Sequence, residues 1–270
     1  MLVIAASAFA AGIILSLRSF PSLLSELNWQ PILTMALVAT PATLALNALE
    51  FSLSARLIGQ SVPFGRALTV TIVGSAANLL PLPGAALVRL AALKTGGATL
   101  RSGLSATALL AILSLGLGLA YSGAWALTLN SSLFPVAVLC AGLLIVAIAC
   151  LIARELFEHG AAVLGLIVAR LALIALDAAR TYLAFAAIGF AASFGQSSVI
   201  TISTVLAAVV AVVPAGLGLR EGIAASMAPS LRLDPAATFL ATSLSRIVGL
   251  AVVIILTLLL VIARKRPSAS

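Results

Sequence analysis

Long apolar runs separated by short polar segments make up most of this chain. The run 133–153 contains 21 residues and no charge, and a helix needs about 20 apolar residues to cross a bilayer. Strands of a membrane barrel alternate apolar and polar residues, whereas these runs are continuous. The pattern predicts six transmembrane helices, at 2–17, 31–55, 102–121, 133–153, 161–190 and 235–263, with Pro41 kinking the second.

Two further apolar segments are interrupted by proline and glycine. Residues 66–94 contain Pro81-Leu-Pro-Gly84, and residues 196–229 contain Pro214-Ala-Gly-Leu-Gly218. Each arm is about 15 residues or shorter, which is too short to cross a bilayer core of about 30 Å. Irregular backbone at that depth is tolerated where it is buried in protein or lines a cavity. We therefore expect two re-entrant hairpins, and rank eight full spans second.

The basic residues test this arrangement. With six spans and two re-entrant hairpins, both chain ends share one side of the membrane. Most basic residues outside the spans then fall on that side: Arg56, Arg66, Lys94, Arg101, Arg154, Arg264, Lys265 and Arg266. By the positive-inside rule that side is cytoplasmic. The prediction is one membrane domain over 1–263 with a short basic cytoplasmic tail, 264–270, in a bacterial plasma (inner) membrane.

The two interrupted segments resemble each other. Pro83 to Arg89 and Pro214 to Arg220 share a Pro-x5-Arg spacing with glycine inside. Corresponding broken helices that enter from opposite faces are typical of inverted repeats, whose binding site lies near the bilayer midplane.

Composition narrows the function classes. Hydrophobic residues make up 63% of the chain and charged residues 8%, against about 25% charged in ordinary globular domains. We attribute the net charge of +8 to basic residues that orient the protein in the membrane rather than to nucleic-acid binding. No nucleotide-binding loop occurs, and His159 in a polar loop offers no catalytic triad or metal site. We expect no enzyme activity, cofactor or metal.

Charged residues inside a membrane are costly and are candidates for function. Arg89 and Arg220 follow the two breaks, and Arg246 lies near the middle of the last span. Helix N-termini and forked guanidinium donors suit a phosphate, so these three arginines are predicted to bind a lipid head group. The alternatives are that Arg89 reaches to the surface and that Arg220 pairs with Glu221. Arg246 needs an acceptor inside the membrane, which Glu221 or Asp177 could supply. An intramembrane charge network is predicted for Arg170, Asp177, Arg180 and Glu50. This network either stabilises the helix bundle or lines the path of a substrate.

Several of these motifs resemble the lysylphosphatidylglycerol synthase transmembrane family, a flippase-like domain. They are Asn78-Leu-Leu-Pro-Leu-Pro-Gly84 followed by Arg89, Pro214-Ala-Gly-Leu-Gly-Leu-Arg-Glu-Gly222, and Ser245-Arg246. The resemblance implies movement of a phospholipid or other polar lipid between leaflets. It assigns head-group binding to Asn78, Pro83, Gly84, Arg89, Pro214, Gly216, Gly218, Arg220, Glu221 and Arg246.

The sequence also departs from that family. Members often have Gly-Glu before the first arginine, where this chain has Ala86-Leu87, and a Glu-Arg pair where it has Leu110-Ala-Ile112. The 270 residues carry no counterpart of the soluble synthase domain, so aminoacyl transfer is not expected of them.

Three hypotheses follow from the sequence. The first is a flippase that binds membrane lipids with an anionic or phosphate-bearing head group. The second is a secondary transporter of a small solute. The third is a non-transporting membrane subunit that partners an enzyme of envelope lipid or glycan synthesis. None of the three involves nucleic acid.

Overall fold

The computed structural model describes residues 2–20, 27–78, 84–129, 132–157, 160–210 and 218–265. These residues form helices and no strand, which confirms the predicted all-helical fold. In chain order the helices are α1 (Leu2–Ser19), α2 (Trp29–Leu57), α3 (Phe64–Ala77), α4 (Gly84–Thr95), α5 (Leu100–Leu129), α6 (Leu133–Leu156), α7 (Gly160–Ala187), α8 (Phe194–Ile200), α9 (Ile202–Val210), α10 (Leu219–Met227) and α11 (Pro235–Lys265).

Within the described residues, five helices are long and apolar enough to cross a membrane: α2, α5, α6, α7 and α11. They correspond to five of the six predicted spans. The remaining predicted span, 2–17, lies in α1 and stays a prediction, because α1 is not among these five helices. The outer face of α6 is strongly apolar, with Leu133 86% and Phe134 76% exposed. Such a face is stable only against lipid or another apolar surface.

The predicted kink at Pro41 coincides with a change of helix type in α2. A π-helical turn, Met35–Ala39, directly precedes this proline, and the N–H of Thr40 donates to the carbonyl of Met35. Proline removes one helical hydrogen bond and its ring crowds the preceding turn. The wider turn accommodates both effects inside a helix that continues to Leu57.

The chain contains two halves with the same order of elements, joined by α6. Among the described residues, each half has a long helix, a helical hairpin and a second long helix. Ile58-Gly59 and Phe64-Gly65 flank the first turn, and Ile188-Gly189 and Phe194-Gly195 recur with the same spacing in the second half. Gly59 (φ +75°) and Gly189 (φ +73°) both take the left-handed conformation that commonly ends a helix. The helices close with equivalent bonds, Gln60 N–H to Ala55 and Phe190 N–H to Phe185, each 3.0 Å.

The first hairpin consists of α3 and α4 in very close contact. A Cβ on Gly84 would collide with the backbone carbonyl of Ala77, so this position requires glycine. The Asn78 side chain accepts a 2.8 Å hydrogen bond from the N–H of Ala85 and caps α4. Residues 79–83, which include most of the predicted break at 81–84, lie outside the described residues.

The second hairpin consists of α8, α9 and α10. Residues 211–217, which include most of the predicted break at 214–218, lie outside the described residues. A side chain at the same position after each turn donates a hydrogen bond across the base of its hairpin. Arg66 donates to the Thr95 hydroxyl at 2.8 Å. Gln196 occupies the position in the second half that Arg66 occupies in the first, and it donates to the Leu231 carbonyl at 2.8 Å. The two donors occupy the same position after their turns, but one acceptor is a side-chain hydroxyl and the other is a backbone carbonyl.

Candidate functional site

A cavity of about 600 Å³ lies between the two halves. Helices α2 to α5 form most of its wall, and α7 and α9 complete it from the second half. Its polar lining residues are Asn47, Ser54, Ser75, Asn78, Arg89, Thr107, Ser114, Arg170 and Thr204. Its apolar lining residues are Phe51, Ala85, Ala86, Leu93, Ala106, Leu110, Ala111, Val205 and Ala208. We call this space the central cavity.

Arg89 of α4 borders the central cavity. Its guanidinium carbon lies 5.8 Å from the centre of the Phe51 ring, within range of a cation–π interaction. Within the described part of the chain, no carboxylate lies within ion-pair distance of Arg89. The Phe51 contact supports the guanidinium from one side but does not neutralise its charge.

Arg170 is the second cation on the central cavity, and it pairs with Glu50 across the interface of α7 and α2. The Glu50 side chain is fully buried, whereas the Arg170 side chain remains 23% exposed. Arg89, Arg170 and Glu50 together carry a single net positive charge. An uncompensated charge is expensive in a protein interior, so this cluster favours one additional anion.

A second ion pair joins α7 to α10. Asp177 lies 3.2 Å from Arg220 and also accepts a 2.8 Å hydrogen bond from the Thr204 hydroxyl. Thr204 also lines the central cavity. Arg220 therefore has its counter-ion inside the protein, and Thr204 connects this ion pair to the cavity wall.

Glu221 connects the start of α10 to α11. One carboxylate oxygen accepts from the backbone N–H of Gly218 at 3.0 Å, and the other lies 3.1 Å from Nε of Arg246. Gly218 has φ +78°, a conformation that glycine adopts without strain. The Glu221 side chain is fully buried, so this carboxylate serves as both helix cap and counter-ion.

Arg180 binds the backbone of α11. It donates a 2.7 Å hydrogen bond to the carbonyl of Ser245. A Cβ at Gly249 would lie 2.6 Å from the Arg180 guanidinium, so the glycine makes room for this side chain. This contact joins the long helices of the second half.

The predicted head-group residues that the structure describes therefore do not form a single site. Arg89, Asn78 and the start of α4 lie at the central cavity, whereas Arg220 and Arg246 are paired with carboxylates elsewhere. Pro83, Pro214 and Gly216 lie outside the described residues. The predicted network also divides: Arg170 and Glu50 form one pair, while Asp177 and Arg180 make separate contacts with α10 and α11.

Sequence reasoning did not identify several polar residues of the cavity wall. They are Asn47, Ser54, Ser75, Thr107, Ser114 and Thr204. One signal was available for Asn47, because the sequence offset that relates the two sets of turns also relates Asn47 to Asp177.

Within the described residues, no group of three or more His, Cys, Asp and Glu side chains comes together as a metal site. The arrangement instead offers two guanidinium groups, amides and hydroxyls to an oxyanion. No protein-family model matches this sequence, and no curated protein matches it at a significant level.

Proposed function

We propose that this protein is a flippase-like membrane protein that moves a polar lipid with an anionic head group between leaflets. One observation carries the proposal: Arg89 and Arg170 border the same cavity, and Glu50 is the one carboxylate within ion-pair distance of them among the described residues. A phospholipid phosphate diester carries one negative charge. Its binding would neutralise the cluster and supply acceptors for the guanidinium donors.

The size and lining of the central cavity also support a lipid. Its volume of about 600 Å³ is within the usual range for small-molecule pockets, about 300–1,000 Å³. Hydroxyl and amide groups accompany the arginines, while alanine, leucine and valine residues form much of the remaining wall. In this proposal the head group occupies the cavity and the acyl chains stay in the bilayer.

The proposed topology has six spans, two re-entrant hairpins and both termini in the cytoplasm of a bacterial cell. Three long helices, α5, α6 and α7, separate the hairpins. An odd number of crossings would make the hairpins enter from opposite faces, as in an inverted repeat. The central cavity would then open alternately toward the two leaflets as one half moves against the other.

The resemblance to the lysylphosphatidylglycerol synthase transmembrane family supports lipid handling but leaves the lipid open. Ala86, Leu110 and Ala111, which occupy positions where the sequence departs from that family, all line the central cavity. This cavity therefore lacks charged groups expected in family members, so we propose a different selectivity for the head group.

The proposal is tested by reconstituting the wild-type protein into liposomes that contain fluorescent lipids. Dithionite destroys the dye in the outer leaflet, so loss of the protected inner-leaflet signal measures translocation. We expect faster loss with acyl-labelled phosphatidylglycerol than with phosphatidylcholine, with empty liposomes as the control.

Full protection of both lipids, with and without an imposed proton gradient, would contradict the proposal. Uptake of a soluble organic phosphate under those conditions would favour the small-solute transporter. Copurification of an envelope-lipid enzyme without transport would favour the partner subunit.

A further inference from the structure

The two halves differ in charge at several equivalent positions, and in the second half one of these positions pairs with the arginine that follows the break. Asn47 of α2 and Asp177 of α7 are related by the same sequence offset as the turn glycines, Gly59 and Gly189. The arginines that follow the breaks, Arg89 and Arg220, are one position further apart than those glycines. The second half therefore has one extra residue between its turn and its arginine. Each half has a polar position on its first long helix and an arginine after its break.

In the second half these two positions form an ion pair, Asp177 with Arg220 at 3.2 Å. In the first half an amide replaces the carboxylate, and both Asn47 and Arg89 border the central cavity. Asparagine has almost the same shape as aspartate but carries no charge. In the first half, Arg89 therefore has no carboxylate at the position equivalent to Asp177, and the open central cavity of about 600 Å³ lies beside it.

We propose that the ligand's anionic group binds in the first half where the Asp177 carboxylate lies in the second. Arg89 supplies charged donors, and the Asn47 amide contacts the oxyanion without repelling it. One Asn47 N–H is already used, donating to the Thr43 carbonyl at 2.8 Å, which positions the amide. The inference rests on the proposed function and narrows the substrate to a lipid with a singly charged oxyanion.

Hydrogen bonds to a charged partner are stronger than those between neutral groups. A half-buried arginine such as Arg89 also gains from a nearby anion, because part of its hydration is lost. A carboxylate at position 47 would therefore act as a built-in ligand. The Asn47→Asp substitution should stabilise the lipid-free protein while blocking the site. A substitution that merely damages the fold would lower stability instead.

The test measures thermal unfolding in a neutral detergent, with dihexanoyl phosphatidylglycerol as the probe. We expect wild type to be stabilised by the probe. The Asn47→Asp protein should unfold at a higher temperature without the probe and bind it about tenfold or more weakly. Ser114→Asp is the matched control, since it adds the same charge to the cavity wall on α5. This control should not raise the unfolding temperature.

The double substitution Asn47→Asp with Arg89→Gln separates pairing from a general charge effect. If the new carboxylate acts by pairing with Arg89, the gain in unfolding temperature disappears in the double variant. An unchanged gain in unfolding temperature would overturn the inference, and so would an Asn47→Asp protein that binds the probe like wild type. In either case, lipid movement by the wild-type protein would still support the proposed function. Absence of both binding and movement in wild type would overturn both. Equal stabilisation by soluble glycerol phosphate would support the oxyanion site and contradict the lipid.

Discussion

Arg89→Gln is expected to abolish lipid translocation in the reconstituted protein while leaving its fold intact. Arg89 borders the central cavity, stacks over Phe51 and has no carboxylate within ion-pair distance among the described residues. Truncating one partner of a buried charged pair costs about 2–5 kcal/mol of binding, or a factor of about 30 or more in affinity. The rate of dye loss should therefore fall close to that of empty liposomes.

Arg154→Gln provides the matched control for this experiment. Arg154 lies at the end of α6 and is exposed, so the variant has the same net charge as Arg89→Gln but an unchanged cavity. Translocation by Arg154→Gln should equal that of wild type. If both variants moved anionic lipid at the wild-type rate, the central cavity would not be the route.

Loss of the Glu221 carboxylate should have the largest effect on stability. Glu221→Gln removes a fully buried charge that accepts from Gly218 and neutralises Arg246. The Arg246 side chain is 14% exposed, so little water is present to replace the carboxylate. Breaking a buried ion pair from one side costs about 3–5 kcal/mol, and thermal unfolding in detergent should reveal that loss.

The double variant Glu221→Gln with Arg246→Leu tests the reason for this loss. Removing both charges leaves no unpaired cation, so the double variant should be more stable than Glu221→Gln alone. Glu155→Gln, at an exposed position on α6, should change stability little. Strictly additive losses in the double variant would show that Glu221 and Arg246 do not depend on each other.

Much of the fold follows directly from the apolar runs, because a helix that crosses lipid needs a long continuous stretch of apolar residues. Helices α2, α5, α6, α7 and α11 lie close to predicted spans. The π-helical turn in α2 could not be predicted from the sequence, because Pro41 indicates that the helix must adapt but not which change of geometry it adopts.

The sequence singled out the charged residues inside the membrane, but it was harder to predict which of them pair with each other. Neighbouring residues on a helix point about 100° apart, so Arg220 and Glu221 face different helices and pair with Asp177 and Arg246. Spacing placed Arg170 and Asp177 on one face of a helix, but their separate partners, Glu50 and Arg220, come from α2 and α10. Such choices depend on contacts between distant segments.

The most direct measurement asks which lipid touches the central cavity. Ala111 lines it, and a photoreactive benzoylphenylalanine at this position would capture a bound molecule in the native membrane. The same photoreactive group at Leu144, an exposed position on α6, would report bulk lipid. We predict that mass spectrometry finds anionic lipid enriched at position 111 relative to position 144, and that Arg89→Gln removes the enrichment. Absence of lipid adducts at position 111, or the same lipid composition at both positions, would contradict the account.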